Sequence, residues 1–414
     1  MLNRAFRYKL KVDAAQDSVF RQYAGVVRLI YNVALEQRSV FWRQHLARTG
    51  KAISVTTQCR ELTALRAEYD WIRALHVTPQ QQALRDLDKA LGNFFAGRAD
   101  YPKPRSRREN NAFRFQGREV DVETLSRKWA RVRLPKIGWV KFRLTRPLRG
   151  TIKNVTVALD PLGWHVSFAC AIEHEAAESN LPDVGMDRGV AITAVLSSGD
   201  RLRIPGSLAL IEKRRRQAQK IVARRKRGSN RRAKALRRVA KLSAKSARIR
   251  RHWQHRVSQN LASRFGTVVV EDLKVRNMTA SAAGTVAEPG RSVRQKSGLN
   301  RSILEQGWHS LTTLLEYKLS EHGGHLVAVD PRYTSQTCSS CGVVDPRSRK
   351  SQARFQCVHC GFRAHADYNA AVNVLRRNTA PMLVEGCGCA PVEARTGRSR
   401  MAPENPPPSG GGRC

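Results

Sequence analysis

A chain of 414 residues is long enough for two or three domains. It carries 75 Lys and Arg against 33 Asp and Glu, a formal charge of +42, with 41% hydrophobic residues. Such a surplus repels itself in a folded chain and points to a polyanionic partner, while the apolar content excludes a wholly disordered basic tail.

The opening Met1-Leu-Asn-Arg-Ala-Phe-Arg-Tyr-Lys9 lacks the apolar run of a secretory leader, and no stretch of 18 uncharged apolar residues follows. The expectation is a cytoplasmic, nucleoid-associated nucleic-acid binder with no membrane contact. Residues 4–12 alternate as a strand, and Asp13 can cap the helix after it. There Val19, Phe20, Tyr23, Val27, Ile30, Tyr31 and Ala34 recur at helical spacing. Helical patterns return at 57–70 and 79–95. Residues 98–112, with Tyr101-Pro-Lys-Pro-Arg105, read as an extended basic loop. From about 112 to 173 the period drops to two, broken by Gly and Pro, which predicts a small antiparallel barrel or sheet. Glu173–Asn180 reads as a linker.

A second α/β unit begins near 182. Val184–Gly189, Ala191–Leu196 and Arg201–Ile204 suggest three strands joined by tight turns. Residues 213–251 then hold 19 Lys or Arg and no acid. A solvated helical face explains exposure but not the missing acids; helices tracking a phosphate backbone explain both. Arg214, Arg215, Arg216, Arg224, Arg225 and Arg227 are the candidate contacts. Phe265–Leu273 reads as a buried strand, 276–297 as a mobile loop, Leu304–Leu319 as a helix and His325–Asp330 as a strand.

Cys338, Cys341, Cys357 and Cys360 form C-x2-C-x15-C-x2-C. Two such knuckles in an intracellular chain present four thiolates to one Zn²⁺, and Gly342 and Gly361 supply the turns behind them. His359 lies inside the second knuckle, but four thiolates already fill the site. A helix is expected over 367–377. From 378 onward Pro and Gly supply 12 of 37 residues, and disorder is expected.

Acids are scarce, so those beside apolar strands stand out. Asp187 ends one strand, Glu271 ends Val268-Val-Val270, and Asp367 opens the last helix. Converging carboxylates would repel one another unless divalent Mg²⁺ held them together, an arrangement suited to phosphodiester hydrolysis.

Val184-Gly-Met-Asp187-Arg-Gly, Val270-Glu271-Asp272-Leu and Ala366-Asp367-Tyr-Asn369-Ala-Ala, with the four-Cys ribbon before the last, resemble the RuvC-like nuclease of transposon-encoded OrfB/TnpB proteins. Tyr31-Asn32, Pro135–Lys141, Lys296–Ser302 and Tyr333–Cys338 extend the likeness over about residues 1–377. The resemblance implies an RNA-guided DNA endonuclease acting in transposon maintenance or transposition, related to the type V CRISPR effectors. It also implies guide RNA from the transposon end and target double-stranded DNA as partners. The implied architecture is α/β with a small β part. An N-terminal helical and β-barrel-like lobe (1–175, with helix-turn-helix-like helices) precedes an RNase H-like (RuvC) domain (182–332) with the basic arm 213–251 inserted. The zinc ribbon (333–364), the last motif and helix (365–377) and the tail (378–414) follow. Asp187, Glu271 and Asp367 would be the Mg²⁺-binding catalytic set, with His365 and Asn369 as outer candidates. The alternatives are a cleavage-inactive RNA-guided repressor, which would lose an acid, and an accessory transposase.

Overall fold

The computed structural model describes residues 2–174, 178–285 and 287–379. The expected disorder of the tail therefore lies outside the described residues, except at its first two positions.

The N-terminal half is β1 (Leu2–Lys11), five helices and six more strands. The helices are α1 (Ala14–Val40), α2 (Trp42–Thr49), α3 (Val55–Glu68), α4 (Asp70–Arg73) and α5 (Val77–Phe95). Asp13 caps α1 as expected: its carboxylate accepts the Gln16 amide at 2.7 Å, and the Gln16 side chain accepts the Asp13 amide in return. The strands are β2 (Ala112–Gln116), β3 (Asp121–Ser126), β4 (Trp129–Leu134), β5 (Gly138–Arg143), β6 (Thr151–Asp160) and β7 (Gly163–Ile172). They form a seven-stranded sheet in the order β2-β6-β7-β1-β5-β4-β3. The period of two follows from this packing, because inward residues such as Val132, Val140, Phe142, Val157, Val166 and Phe168 are fully buried. α1 and α5 cover that face. Tyr23 stacks on Phe113 with ring centroids 5.0 Å apart, and Phe20 meets Trp164 edge-on at 5.0 Å. Such pairs add about 0.5–1.5 kcal/mol each beyond their burial.

The second half starts with β8 (Val184–Asp187), β9 (Ala194–Leu196) and β10 (Arg201–Leu202). Two long basic helices follow, α6 (Ser207–Ala223) and α7 (Asn230–Ala262), packed together as a hairpin. At 1.5 Å per residue, α7 is roughly 50 Å long. Then come β11 (Thr267–Glu271), α8 (Val275–Met278), α9 (Val293–Gln306), α10 (Trp308–Glu321) and β12 (His325–Val329). The ribbon hairpin is β13 (Arg354–Gln356) and β14 (Arg363–His365), and α11 (Ala366–Thr379) closes the described chain. The five-stranded sheet runs β10-β9-β8-β11-β12, antiparallel from β10 to β8 and parallel from β8 to β12.

Two sequence expectations change here. The helix expected over 304–319 is two helices, broken at Gly307, whose φ of +67° suits glycine. The loop expected over 276–297 is entered by α8 and by the first turns of α9. Lys296 and Asn300 of α9 pin it, donating to the carbonyls of Met278 at 2.7 Å and Thr279 at 2.9 Å. Among the described residues, no helix is long and apolar enough to cross a membrane.

Candidate carboxylate centre and zinc ribbon

The period of two in β8 and β11 decides which side chains meet. Val184, Met186, Val268 and Val270 face a core built with Leu261, Ala262 and Phe265 at the end of α7 and Leu311, Leu315 and Leu319 of α10. Gly185, Asp187, Val269 and Glu271 therefore share the opposite face. In the parallel register Val269 pairs with Gly185 and Val270 with Met186, so Glu271 is next in line beside Asp187.

α11 packs on that opposite face. A Cβ at Gly185 would lie 2.1 Å from the Ala371 carbonyl oxygen and 2.7 Å from the Leu375 amide. Only a glycine lets the helix backbone come this close. Asp367, Ala371 and Leu375 are four residues apart and so share one stripe of α11. Asp367 comes close enough to Asp187 for its charge to raise that carboxyl. The structure thus brings all three predicted carboxylates to one neighbourhood.

Their electrostatics agree. Burial, and then the charges of Glu271 and Asp367, push the Asp187 carboxyl up to about 7. Burial also raises Glu271, which is 7% exposed, against a hydrogen bond from Thr334 and nearby Arg188, Arg377 and Arg349. Thr334 Oγ1 donates to Glu271 Oε1 at 2.7 Å, and a guanidinium nitrogen of Arg188 donates to the Glu271 carbonyl oxygen. A buried carboxylate flanked by the charges of two others suits a divalent cation.

The four cysteines meet as the spacing predicts. Cys338 and Cys360 Sγ lie 3.7 Å apart, as do those of Cys341 and Cys357. Four thiolates about 2.3 Å from a tetrahedral Zn²⁺ would be about 3.8 Å apart, so the set fits zinc. Gly342 and Gly361 take φ of +76° and +74°. The amides of His359 and Cys360 each donate to Cys357 Sγ at 3.4 Å, bonds that favour the ligating thiolate. Among the described residues, this is the one group of three or more ligand-type side chains whose atoms all lie within 4.8 Å of one another.

The outer candidates separate. His365 Nδ1 accepts the Asp367 amide at 3.3 Å, so it stays beside the acid. Asn369 does not: it is fully buried and bonds the ribbon backbone at Ser339 and Thr337. Along the arm, Arg214, Arg224, Arg225 and Arg227 are exposed. Arg215 and Arg216 are partly engaged, their Nε atoms 2.6 and 3.2 Å from Glu212 carboxylate oxygens. Sequence reasoning missed Gly185, Thr334 and Arg349. The first two lay inside recognisable motifs, and their role was invisible without the partner element. Arg349 lies in the polar stretch between the two knuckles and carried no signal.

These features define a mixed α/β protein with clustered carboxylates, a four-cysteine ribbon that fits zinc and a long cationic helical hairpin, a combination suited to a polynucleotide. A family model described as "Probable transposase" matches residues 167–282, one described as "Cas12f1-like, TNB domain" matches 308–374, and a "Helix-turn-helix domain" matches 1–46. The chain is 38% identical over 396 residues to the "Putative RNA-guided DNA endonuclease InsQ" of Escherichia coli K12, covering 93% of this chain and 94% of that one. It is 31% identical over 412 residues to a "Putative RNA-guided DNA endonuclease" of Streptomyces pristinaespiralis, covering 97% and 96%. The cryo-EM structure of a Cas12f1–sgRNA–target DNA complex superposes with a TM-score of 0.52 at 15% identity, covering 87% of this chain and 83% of that one, a likeness of fold. The chain belongs to the transposon-encoded OrfB/TnpB family.

Proposed function

We propose that this protein is an RNA-guided DNA endonuclease whose RuvC-like centre is Asp187, Glu271 and Asp367. The observation that carries the reading is the environment of Asp187, where two further carboxylates converge in a chain of net charge +42. Asp187 and Glu271 sit at the carboxyl ends of the parallel strands β8 and β11, where open α/β sheets bind their ligands. That position, in a sheet antiparallel on one side of β8 and parallel on the other, supports an RNase H-like reading of residues 182–332 and 365–377.

The three carboxylates would hold Mg²⁺, which supplies an activated water and stabilises the departing 3′ oxygen. The chain's own residues prepare that site. Thr334 orients the Glu271 carboxylate, and Arg188 is tied to the same residue's backbone. Arg349, from the ribbon, brings a cation close enough to lower both Asp187 and Glu271, and would meet the substrate phosphate there. Guide RNA from the transposon end would pair with the target strand of double-stranded DNA. Backbone phosphates would run along the α6–α7 hairpin, and the N-terminal lobe would hold the guide and the flanking duplex. All three acids are present, which disfavours a cleavage-inactive repressor.

The test is plasmid cleavage by the purified protein–RNA complex. Asp187→Ala, Glu271→Ala and Asp367→Ala should each abolish cutting in Mg²⁺ while RNA retention on a gel is unchanged. An Asp187→Ala protein that cuts at the wild-type rate would move the nuclease centre elsewhere.

A further inference from the structure

The carboxylate centre and the ribbon are joined by a buried hydrogen-bond clamp. α11 carries Asp367 in its first turn and then Asn369 and Asn373, 0% and 5% exposed. Asn369 Oδ1 accepts the Ser339 amide at 2.8 Å, and its Nδ2 donates to the Thr337 carbonyl at 2.8 Å. Asn373 Nδ2 donates to the carbonyls of Thr334 at 2.9 Å and Thr337 at 2.7 Å. Cys338 stands between Thr337 and Ser339, so the backbone on both sides of the first zinc-type cysteine is tied to the helix bearing Asp367. Thr334, 3% exposed, completes the connection through its hydroxyl to Glu271.

Packing α11 against the ribbon would need only apolar side chains. Buried carboxamides cost free energy unless fully paired, and when paired they specify one arrangement. Here every bond they make runs to the segment that leads into and out of Cys338.

We infer that the ribbon is a positioning device for the carboxylates, with Thr334, Asn369 and Asn373 transmitting zinc occupancy to Glu271 and Asp367. Zinc on the four cysteines fixes residues 334–339. That segment holds Asn369 and Asn373, hence the first turns of α11, and presents the Thr334 hydroxyl to Glu271. The two metal sites then bind with positive coupling, and coupling in binding is reciprocal. None of the three residues touches a reacting atom; they act through the acids. The inference rests on the reading of Asp187, Glu271 and Asp367 as a divalent-cation site.

Mn²⁺ is the probe, with free ion counted by electron paramagnetic resonance on the full-length protein, without RNA or DNA. Stripping zinc should weaken Mn²⁺ binding about tenfold or more, the usual effect of removing an outer partner of a metal ligand. Thr334→Val should weaken Mn²⁺ similarly while keeping one zinc per chain, and Thr334→Ser, which restores the hydroxyl, should recover it. Asn369→Ala should speed zinc release to a chromogenic chelator, and Mn²⁺ should slow that release in the wild type. Equal Mn²⁺ affinity in Thr334→Val, Thr334→Ser and wild type, at equal zinc content, would overturn the inference while leaving the carboxylate reading intact. Wild-type Mn²⁺ binding indifferent to Asp187→Ala would overturn the carboxylate reading, and this inference with it.

Discussion

Replacing Gly185 with Ala adds one methyl group where the structure has no room for it. The new Cβ would stand 2.1 Å from the Ala371 carbonyl oxygen and 2.8 Å from the Leu375 Cβ. The clashing oxygen belongs to helix backbone, which cannot swing away as a side-chain tip could. To reach ordinary van der Waals spacing near 3.5 Å, α11 would have to retreat by roughly 1.4 Å. Overpacking of this kind costs about 1–3 kcal/mol of stability. The functional cost should be larger in proportion, because Asp367 rides on the same helix and a misplacement of about 1 Å can cost about a hundredfold in rate. Thermal unfolding and plasmid cleavage by the protein–RNA complex measure the two effects, with RNA retention expected to stay unchanged. Gly92→Ala is the control: it lies within α5 with open space around the missing Cβ, and should gain about 0.5–1 kcal/mol. A Gly185→Ala protein with wild-type cleavage and an unchanged melting temperature would show that α11 is not seated on β8. The convergence of Asp367 with Asp187 would then fail too.

Folding raises the Asp187 carboxyl from 3.8 to about 7, so the folded chain keeps an extra proton between those values. The associated stability is present at acid pH and lost as pH rises through about 7. In metal-free protein, Asp187→Asn should therefore raise the melting temperature at pH 8 much more than at pH 5, and an equal gain at both would refute the buried-carboxylate reading. Cys357→Ser should bring zinc below one per chain by elemental analysis and increase proteolysis within residues 333–364, since so short a segment has little core of its own. Replacing Arg214, Arg224, Arg225 and Arg227 together with Ala should weaken RNA binding and flatten its salt dependence, by about 0.7–0.9 in log–log slope for each phosphate no longer neutralised. Arg215→Ala alone should change the slope less, because Glu212 already engages that guanidinium; a larger change than from Arg214→Ala would reverse this ranking.

Much of the site was legible in the residues. The cysteine spacing picked out four thiols that the fold brings together, because a tetrahedral thiolate site needs two knuckles and little else. Asp187 and Glu271 were visible as rare acids ending apolar strands. Asp13 was readable as a cap, since capping is settled within four residues. The break at Gly307 was not legible: apolar residues continue across it, and the Gln254 side chain that donates to the Gly307 carbonyl at 2.9 Å comes from 53 positions away.

The sequence by itself determined the local chemistry: strand period, helix caps, the paired cysteine knuckles and a charge suited to a polyanion. Each depends on residues close together in the chain. Only the tertiary structure decided that Asp367 stands with Asp187, 180 positions earlier in the chain. That meeting depends on a missing methyl group at Gly185 and on Asn369 and Asn373 reaching the ribbon rather than the acids. A glycine or an asparagine has no chemical signature of its own partner, so which backbone it admits or binds is set by what folding brings against it.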